Sequence, residues 1–194
     1  MRYRKIILAS LVCVIGILAG FVSAIAYSIW YSNGFSPVPT AIYVYSDAST
    51  ATKDSIGAAC SAWNGAGCGT LVVKSSSTHS NTKFPYENSQ NQITAGYRGT
   101  SSYIARTTKV SYSNTWSELY EVDIDINLSH PFSNSGASGA IDVQSCMTHE
   151  LGHLLGLDDV TNDPDATMYY KISYGETKFR TLSTDDKNGI KYIY

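Results

Sequence analysis

Residues 149–159 read HELGHLLGLDD, which is the pattern H-E-x-x-H-x-x-G-x-x-D. On an α-helix His149 and His153 lie one turn apart on the same face, about 6 Å along the axis. Two imidazoles at this spacing can both reach one small cation. Glu150 lies beside them and can act as a general base on a water molecule bound to the same ion. The stretch therefore predicts a helix that carries part of a metal site.

The residues that follow predict a third ligand. Gly156 can adopt the left-handed conformation that ends a helix, after which the chain can turn back under the metal. Three residues later Asp159 offers a carboxylate oxygen, which is a good ligand for zinc. Three protein ligands with one open position are typical of a catalytic site, because structural zinc sites are closed by four protein ligands.

These residues resemble the longer motif of the metzincin metalloproteases, H-E-x-x-H-x-x-G-x-x-H followed by a turn that contains methionine. This chain departs at the third ligand, where Asp159 replaces histidine, as in a minority of secreted peptidases that includes the snapalysin type. The resemblance implies a zinc ion held by His149, His153 and Asp159, with Glu150 as the general base. Among metzincins the chain most resembles the matrixins.

The candidate for the methionine turn is residues 165–170, DATMYY. In the family the methionine, here Met168, forms the apolar floor beneath the metal, a role close to that of an ordinary core methionine. Tyr170 stands two residues later, where astacin- and serralysin-like metzincins have a tyrosine that reaches the zinc or the oxyanion. The resemblance makes Tyr170 a second catalytic candidate, and the alternative is one surface tyrosine among 15.

The resemblance spans about residues 40–194 and implies an α+β fold. In that fold a twisted mixed β-sheet packs with a long N-terminal helix, an active-site helix and a C-terminal helix. Apolar periodicity and capping residues predict helices over 47–63, with Ser46 or Asp47 as cap, over 141–155, and from a Ser183 cap with Asp186 three residues on. Strands are predicted at 41–45, 71–73, 93–97, 103–110 and 120–127, with a polar loop over 75–91.

Residues 120–127, YEVDIDIN, alternate between apolar and polar side chains, which is typical of a half-buried strand. The stretch resembles the matrixin strand that precedes the zinc helix, and this implies an edge strand along which substrate lies. Asp123 and Asp125 project from the other face. That face is predicted to be solvated, and calcium binding is the alternative.

Two further groups of polar residues carry open alternatives. His79 is expected to be exposed, with a second, structural metal as the alternative. The loop 157–165 contains four aspartates, of which only Asp159 has ligand spacing. The others are expected to be solvated or to form turns, and calcium is a second option. The predicted cofactor is thus Zn²⁺, with Ca²⁺ left open.

Composition excludes several classes of protein. Apolar residues make up 43% of the chain, which is ample for a core and atypical of a disordered protein. The net charge is −2 and no basic patch is present, so there is no electrostatic reason to expect a nucleic-acid partner. The 194 residues fit one catalytic domain behind an N-terminal segment.

Residues 1–34 are predicted to be a signal peptide, or an N-terminal membrane anchor, with a short linker. Three cations precede an uncharged run, residues 6–26, that ends in an A-x-A cleavage pattern. The run is also long enough to span a bilayer. Either interpretation puts the catalytic domain, residues 35–194, outside the cytoplasm, secreted or held at the cell surface.

Of the four cysteines, Cys13 lies within the apolar run. Cys60 and Cys68 flank a loop-like span, which predicts a disulfide in an oxidising compartment, and the alternative is two buried thiols. Cys146 precedes His149 by three residues. It is expected to be a packed core cysteine, and the alternative is a thiolate that approaches the metal.

The function predicted from these features is zinc-dependent hydrolysis of peptide bonds by a monomer acting on protein or peptide substrates. One alternative is a non-catalytic, zinc-stabilised extracellular binding module. Glu150 argues against it, because a structural site needs no base. A second alternative is a hydrolase that directs the same chemistry at another carbonyl group.

Overall fold

The computed structural model describes residues 27–31, 34–35, 38–111 and 119–194. Residues 1–26, which contain the predicted signal peptide or membrane anchor, therefore lie outside the described residues. Within the described ranges, no helix is both long enough and apolar enough to cross a bilayer.

The described chain has the predicted α+β fold. Its α-helices are α1 (Thr50–Asn64), α2 (Val143–Leu154) and α3 (Thr184–Ile193), and a short 3-10 helix covers Lys178–Arg180. The strands of its main sheet are β2 (Thr40–Tyr45), β3 (Val72–His79), β4 (Asn91–Gly96), β5 (Ala105–Ser111) and β6 (Leu119–Asn127). Two short pairs join β1 (Ser28–Ile29) to β9 (Leu157–Asp158), and β7 (Phe132–Ser133) to β8 (Ile141–Asp142).

The main sheet has the strand order β3-β2-β4-β6-β5. The first four strands in this order are parallel, and β5 pairs antiparallel with β6. The predicted edge position of residues 120–127 is therefore wrong. β6 is paired on both sides, since β5 occupies the side that the prediction left open, and β5 is the edge strand.

The predicted solvated face of β6 is also wrong. The side chains of Asp123 and Asp125 are both fully buried. Asp125 accepts hydrogen bonds from Arg98 Nε at 2.9 Å and Arg98 Nη2 at 2.6 Å, and from the Tyr103 hydroxyl at 2.8 Å. A carboxylate can be buried at this position because a bidentate guanidinium compensates its charge.

Asp123 is held differently, by backbone donors. Its carboxylate accepts hydrogen bonds from the amides of Tyr86 at 2.8 Å and Gln92 at 3.0 Å. Burial raises the pKa of Asp123 to about 6, although the two backbone hydrogen bonds act to lower it. The polar side of β6 thus binds the loop that leads into β4. The alternation of apolar and acidic residues predicts that these acids share one face of the strand, but it does not predict that a loop covers this face.

Helix α1 begins later than predicted. Ser49 is its N-cap, and the Ser49 side chain accepts a hydrogen bond from the Thr52 amide at 3.1 Å. The predicted caps, Ser46 and Asp47, lie in the turn that connects β2 to the helix. Several residues in this stretch have capping side chains, and only the path of the turn selects one of them.

The predicted loop over 75–91 begins only after His79. Strand β3 continues this far because it pairs in parallel with β2 as far as Tyr45. His79 is half-buried rather than exposed, and its Nε2 lies 2.9 Å from the Ile93 carbonyl oxygen.

The predicted Cys60–Cys68 disulfide is wrong, because Cys60, Cys68 and Cys146 are all free thiols. Cys60 is buried in α1 and its thiol reaches the Lys74 backbone on β3, whereas Cys68 lies past the end of the helix. Burial raises the pKa of the Cys60 thiol to about 12, so the thiol stays protonated.

The predicted cap of the C-terminal helix is confirmed. Ser183 and Asp186 form a capping box, in which each side chain accepts a hydrogen bond from the other's backbone amide. The Asp186 carboxylate also accepts hydrogen bonds from the amides of Thr167 at 2.8 Å and Met168 at 3.1 Å. One buried carboxylate thus ties the start of α3 to the methionine turn.

Helix α2 packs closely against α1 and the methionine turn. The Trp63 indole donates a hydrogen bond to the Thr148 carbonyl at 2.7 Å. A Cβ atom added at Gly152 would lie 2.8 Å from Trp63 Cζ2 and closer still to Met168 Sδ. Gly152 is therefore required by packing, in the interior of a helix where glycine is otherwise unfavourable.

We expect Gly152→Ala to lower the free energy of unfolding by about 1–3 kcal/mol, because buried Trp63 and Met168 have no space for a methyl group. The measurement is urea unfolding followed by circular dichroism. Gly57→Ala is the matched control in α1, where an added Cβ would meet only the flexible Lys74 side chain at 3.4 Å. The control should be neutral or stabilising by up to about 1 kcal/mol. Equal losses in both variants would contradict the packing argument.

Candidate metal centre

The chain reverses direction directly after α2. Leu155 caps the helix and Gly156 follows with φ of +109°, which confirms the expected positive φ at this glycine. A Cβ atom at Gly156 would lie 2.8 Å from the Tyr31 carbonyl oxygen, so space as well as conformation requires glycine. After the reversal β9 leads the chain back beside the helix, and Asp159 follows it.

This path brings His149, His153 and Asp159 together. Asp159 Oδ1 lies 3.3 Å from His149 Nε2 and 3.6 Å from His153 Nε2. The three possible ligand atoms all lie within 4.8 Å of one another. Ligand atoms around a tetrahedral zinc ion, each bonded at about 2.0–2.2 Å, are separated by about 3.4 Å. The donor set and its spacing therefore fit such an ion.

Backbone carbonyls orient both imidazoles. His149 Nδ1 lies 2.9 Å from the Thr167 carbonyl oxygen, and His153 Nδ1 lies 3.0 Å from the Leu157 carbonyl oxygen. A neutral imidazole that donates from Nδ1 presents the lone pair of Nε2, and Nε2 is the atom that faces Asp159 in both rings. The tautomers suited to binding a metal are thus favoured by the fold.

No other group of this kind forms among the described residues. The three side chains above are the only set of three or more His, Cys, Asp or Glu residues close enough to share a metal ion there. Among the described residues, neither His79 nor the pair Asp123 and Asp125 belongs to such a group, so the alternatives of a second metal and of calcium have no cluster of ligands there.

Charge within the centre shifts the pKa values of its members. Burial lowers the pKa of His149, but the hydrogen bond that His149 donates to Asp159 and the charges of Glu150 and Asp159 outweigh it and raise the pKa to about 9. Burial and the neighbouring charge of His149 lower the pKa of His153. Burial raises the pKa of Asp159, but the hydrogen bond and charge of His149 lower it overall. A proton on His149 therefore competes with a metal ion for Nε2.

Glu150 lies beside this group and is held by the sheet. Its side chain is 5% exposed, and its Oε2 accepts a hydrogen bond from the Thr107 hydroxyl at 2.6 Å. Thr107 belongs to the edge strand β5. The contact joins the helix that carries both histidines to the strand on the opposite side of the cleft.

The cleft has a volume of about 550 Å³. Tyr170 lies on its wall and is 55% exposed, so its hydroxyl is accessible to a ligand. Cys146 also lies on the wall but is buried, and burial together with the charges of Glu150 and Asp142 raises the pKa of its thiol well above the usual value. A neutral, packed thiol favours the structural interpretation of Cys146 over a metal-binding thiolate.

The sequence did not indicate two residues of the cleft, Trp30 and Thr107, or Lys109, which contacts Trp30. The Trp30 ring lies edge-on to the His153 ring, with centroids 5.4 Å apart. Lys109 Nζ lies 3.2 Å from the centroid of the Trp30 ring, and burial lowers the pKa of Lys109 to about 7. No local motif marks these positions, because each acts on a partner more than 40 residues away in the chain.

Comparison with known proteins identifies a family for the chain. A family model for matrixin, a peptidase family, matches residues 48–194. The chain belongs to the matrixin family.

Individual relatives align over shorter segments. This matrixin is 40% identical over 57 residues to metalloendoproteinase 2-MMP of Arabidopsis thaliana, covering 29% of this chain and 15% of that protein. It is 41% identical over 59 residues to matrilysin of Homo sapiens, covering 30% of this chain and 22% of that protein. The chain therefore matches less than a quarter of the length of these curated relatives.

Among solved structures, this matrixin is similar to high choriolytic enzyme 1, a hatching-enzyme zinc protease of the medaka Oryzias latipes. The sequence identity is 13% and the TM-score is 0.41, over 79% of this chain and 87% of that chain.

We expect the affinity of this matrixin for Zn²⁺ to rise with pH up to about 9 and to change little above it. Below pH 9 the His149 proton must leave before Nε2 can bind the ion, and above pH 9 the proton is already gone. At pH 7 each bound Zn²⁺ should therefore displace about one proton. The measurement is titration with chelator-buffered Zn²⁺ in weak buffer that contains a pH indicator. An affinity independent of pH between 6 and 9 would contradict this assignment.

Proposed function

We propose that this matrixin is a zinc-dependent endopeptidase that acts outside the cytoplasm, with His149, His153 and Asp159 as zinc ligands. The observation that carries the proposal is the convergence of two imidazole nitrogens and one carboxylate oxygen within 4.8 Å of one another, beside a buried glutamate. Asp159 is the exposed member of the set, so this side of the site is open to substrate.

The donor set supports zinc over harder cations, because calcium and magnesium prefer oxygen ligands throughout. When bound, zinc supplies Lewis-acid activation of a water molecule and of the scissile carbonyl group. With three protein ligands, a position remains open for this chemistry.

Glu150 is the general base of the proposed reaction. Its carboxylate takes a proton from the attacking water and then delivers it to the nitrogen of the leaving amine. The Thr107 hydroxyl binds Oε2, which leaves Oε1 as the oxygen available for the proton. Holding the carboxylate in one rotamer in this way shortens the search for a productive geometry.

The edge strand supports a peptide as the substrate. In the described part of the chain only one side of β5 is paired, and Ala105, Arg106 and Thr107 of this strand line the cleft. An extended peptide can therefore add to the sheet beside β5 by backbone hydrogen bonds. This brings a backbone carbonyl of the substrate next to the metal centre without requiring one particular side chain.

Tyr170 is proposed to stabilise the oxyanion. It is exposed on the cleft wall, and its backbone amide donates a hydrogen bond to the Val160 carbonyl oxygen at 3.1 Å. A phenolic hydroxyl that reaches the tetrahedral oxyanion donates a hydrogen bond that strengthens as negative charge develops.

The sequence pattern of the N-terminal segment supports a function outside the cytoplasm. Cations followed by the apolar run and an A-x-A site favour export, and the length of the run leaves a retained anchor as the second form. The proposed protein is therefore secreted or attached to the cell surface, with membrane contact only through this segment, and it is proposed to work as a monomer.

We expect Glu150→Gln to lower the rate of casein digestion by at least about 100-fold, because the amide cannot accept the proton. Zinc content, measured by metal analysis, should stay at that of the wild type, since none of the three ligands changes. Glu176→Gln, at a residue that does not line the cleft, is the control and should digest casein normally.

Other results of this experiment would favour the alternatives. Wild type that binds zinc and melts at a lower temperature with chelator, but digests no protein or peptide, indicates a non-catalytic binding module. Cleavage of simple esters without cleavage of peptides indicates another hydrolase. Full activity in Glu150→Gln would remove Glu150 from the mechanism.

For Tyr170→Phe we expect kcat on a peptide substrate to fall by about 100-fold or more while KM changes little, because the lost hydrogen bond forms only as charge develops. Tyr97→Phe serves as the matched control, since Tyr97 is 81% exposed and does not line the cleft. If both variants keep the wild-type kcat, Tyr170 is a surface residue with no part in the reaction.

A further inference from the structure

The segment Tyr27–Tyr31 is fastened to the reversal that carries the third ligand. Strand β1 pairs with β9, so that Ser28 lies opposite Asp158, the neighbour of Asp159. Beyond β1, the amides of Trp30 and Tyr31 both donate to the Gly156 carbonyl oxygen, at 2.8 and 3.2 Å. The segment therefore contacts the chain along most of the path between the second ligand and the third.

A second contact comes from the Tyr31 side chain. Tyr31 is 5% exposed and its hydroxyl donates to the Leu154 carbonyl oxygen, at the end of α2. The carbonyls at the end of a helix lack partners within the helix. This hydroxyl supplies one, directly after His153.

The Trp30 ring covers the second ligand itself. It lies edge-on to the His153 imidazole at an interplanar angle of 72°, with centroids 5.4 Å apart. The same imidazole is oriented by the hydrogen bond from Nδ1 to the Leu157 carbonyl. This ring contact limits the tilt that the hydrogen bond alone leaves open to the imidazole, so the orientation of His153 depends in part on Trp30.

Lys109 of the edge strand β5 contacts the face of the indole ring. Its Nζ lies 3.2 Å from the Trp30 ring centroid and 4.5 Å from the Tyr31 ring centroid. The amine is protonated below its pKa of about 7, and in that form both distances are within the range of cation–π attraction. Lys109 belongs to β5, two residues after Thr107, which binds Glu150. The edge strand thus supports the general base with one side chain and the aromatic cover of His153 with another.

We propose that Trp30 is a positioning residue for the metal centre: held by Lys109, it fixes the His153 imidazole and the reversal that presents Asp159. The inference rests on the zinc site of the proposed function and extends it to a segment that precedes the matched family region by more than 15 residues. The segment acts as a strap across one side of the site, and the ligand geometry depends on it although it contributes no ligand.

The test is zinc affinity, measured for the full-length protein by competition with a chromogenic chelator. We expect Trp30→Ala to weaken zinc binding by about 10-fold or more, which is the size of effect found when a residue that orients a ligand is lost. Trp30→Phe keeps an aromatic ring and should stay within about threefold of the wild type. Tyr97→Ala, at an exposed aromatic residue outside the cleft, should bind zinc as the wild type does.

A spectroscopic measurement separates positioning from a general loss of stability. The visible absorption of the protein loaded with Co²⁺ reports the geometry of the ligands. It should change in Trp30→Ala and be preserved in Trp30→Phe. If Trp30→Ala fails to fold, Trp30→Leu, which keeps apolar bulk without the ring, carries the same two measurements. Wild-type zinc affinity and an unchanged Co²⁺ spectrum in a folded Ala or Leu variant overturn the proposal.

These results are distinct from a failure of the proposed activity. If zinc binding depends on Trp30 but the protein cleaves no peptide, the positioning role of Trp30 is supported and the proposed peptidase activity is contradicted. If the protein is an active peptidase and its zinc affinity does not change when Trp30 is replaced, only the positioning role of Trp30 is contradicted.

Discussion

The candidate metal centre depends on one reversal of the chain, at Gly156. A single helix can present two imidazoles to one point, but its next residues continue along the axis and away from that point. A third donor reaches it only if the helix stops and the chain returns. The positive φ of Gly156 makes the return possible, and the 2.8 Å approach of the Tyr31 carbonyl to the position of an absent Cβ leaves no space for another residue. The distances from Asp159 to both histidines follow from this turn.

Around the reversal, backbone carbonyls and amides form hydrogen bonds with side chains. The carbonyls of Thr167 and Leu157 orient the two imidazoles, and the carbonyl of Leu154 accepts the Tyr31 hydroxyl. Asp186 fixes the methionine turn through the amides of Thr167 and Met168, while it also caps α3. Since Thr167 takes part in both contacts, the start of the last helix and the orientation of His149 are joined through one residue. The site is therefore a property of the whole domain as well as of its motif.

The sheet contributes to the same centre from the other side of the cleft. Its edge strand provides Thr107 to Glu150 and Lys109 to Trp30. The neighbouring strand β6 is buried on both faces. Its carboxylates accept hydrogen bonds from Arg98 and from backbone amides of the loop that covers the strand. This division leaves β5 with the open edge next to the proposed metal ligands, where we propose that an extended peptide binds.

The sequence by itself determined what is local. The spacing of His149 and His153, the glycine after the helix and the Ser183–Asp186 capping box each depend on residues within one or two turns. Individual helices and strands follow from local periodicity, and the α+β fold was implied by the family resemblance of the motif. Only the tertiary structure decided which strand is the edge, that the acids of β6 are buried, that Ser49 rather than Ser46 or Asp47 caps α1, and that Cys60 and Cys68 remain thiols. The same holds for Thr107, whose partner Glu150 is 43 residues away, and for Trp30, which lies more than 120 residues from His153. A residue's own neighbours in the chain cannot specify such contacts, because they form only when the packing of the sheet, the helices and the N-terminal segment brings distant side chains together.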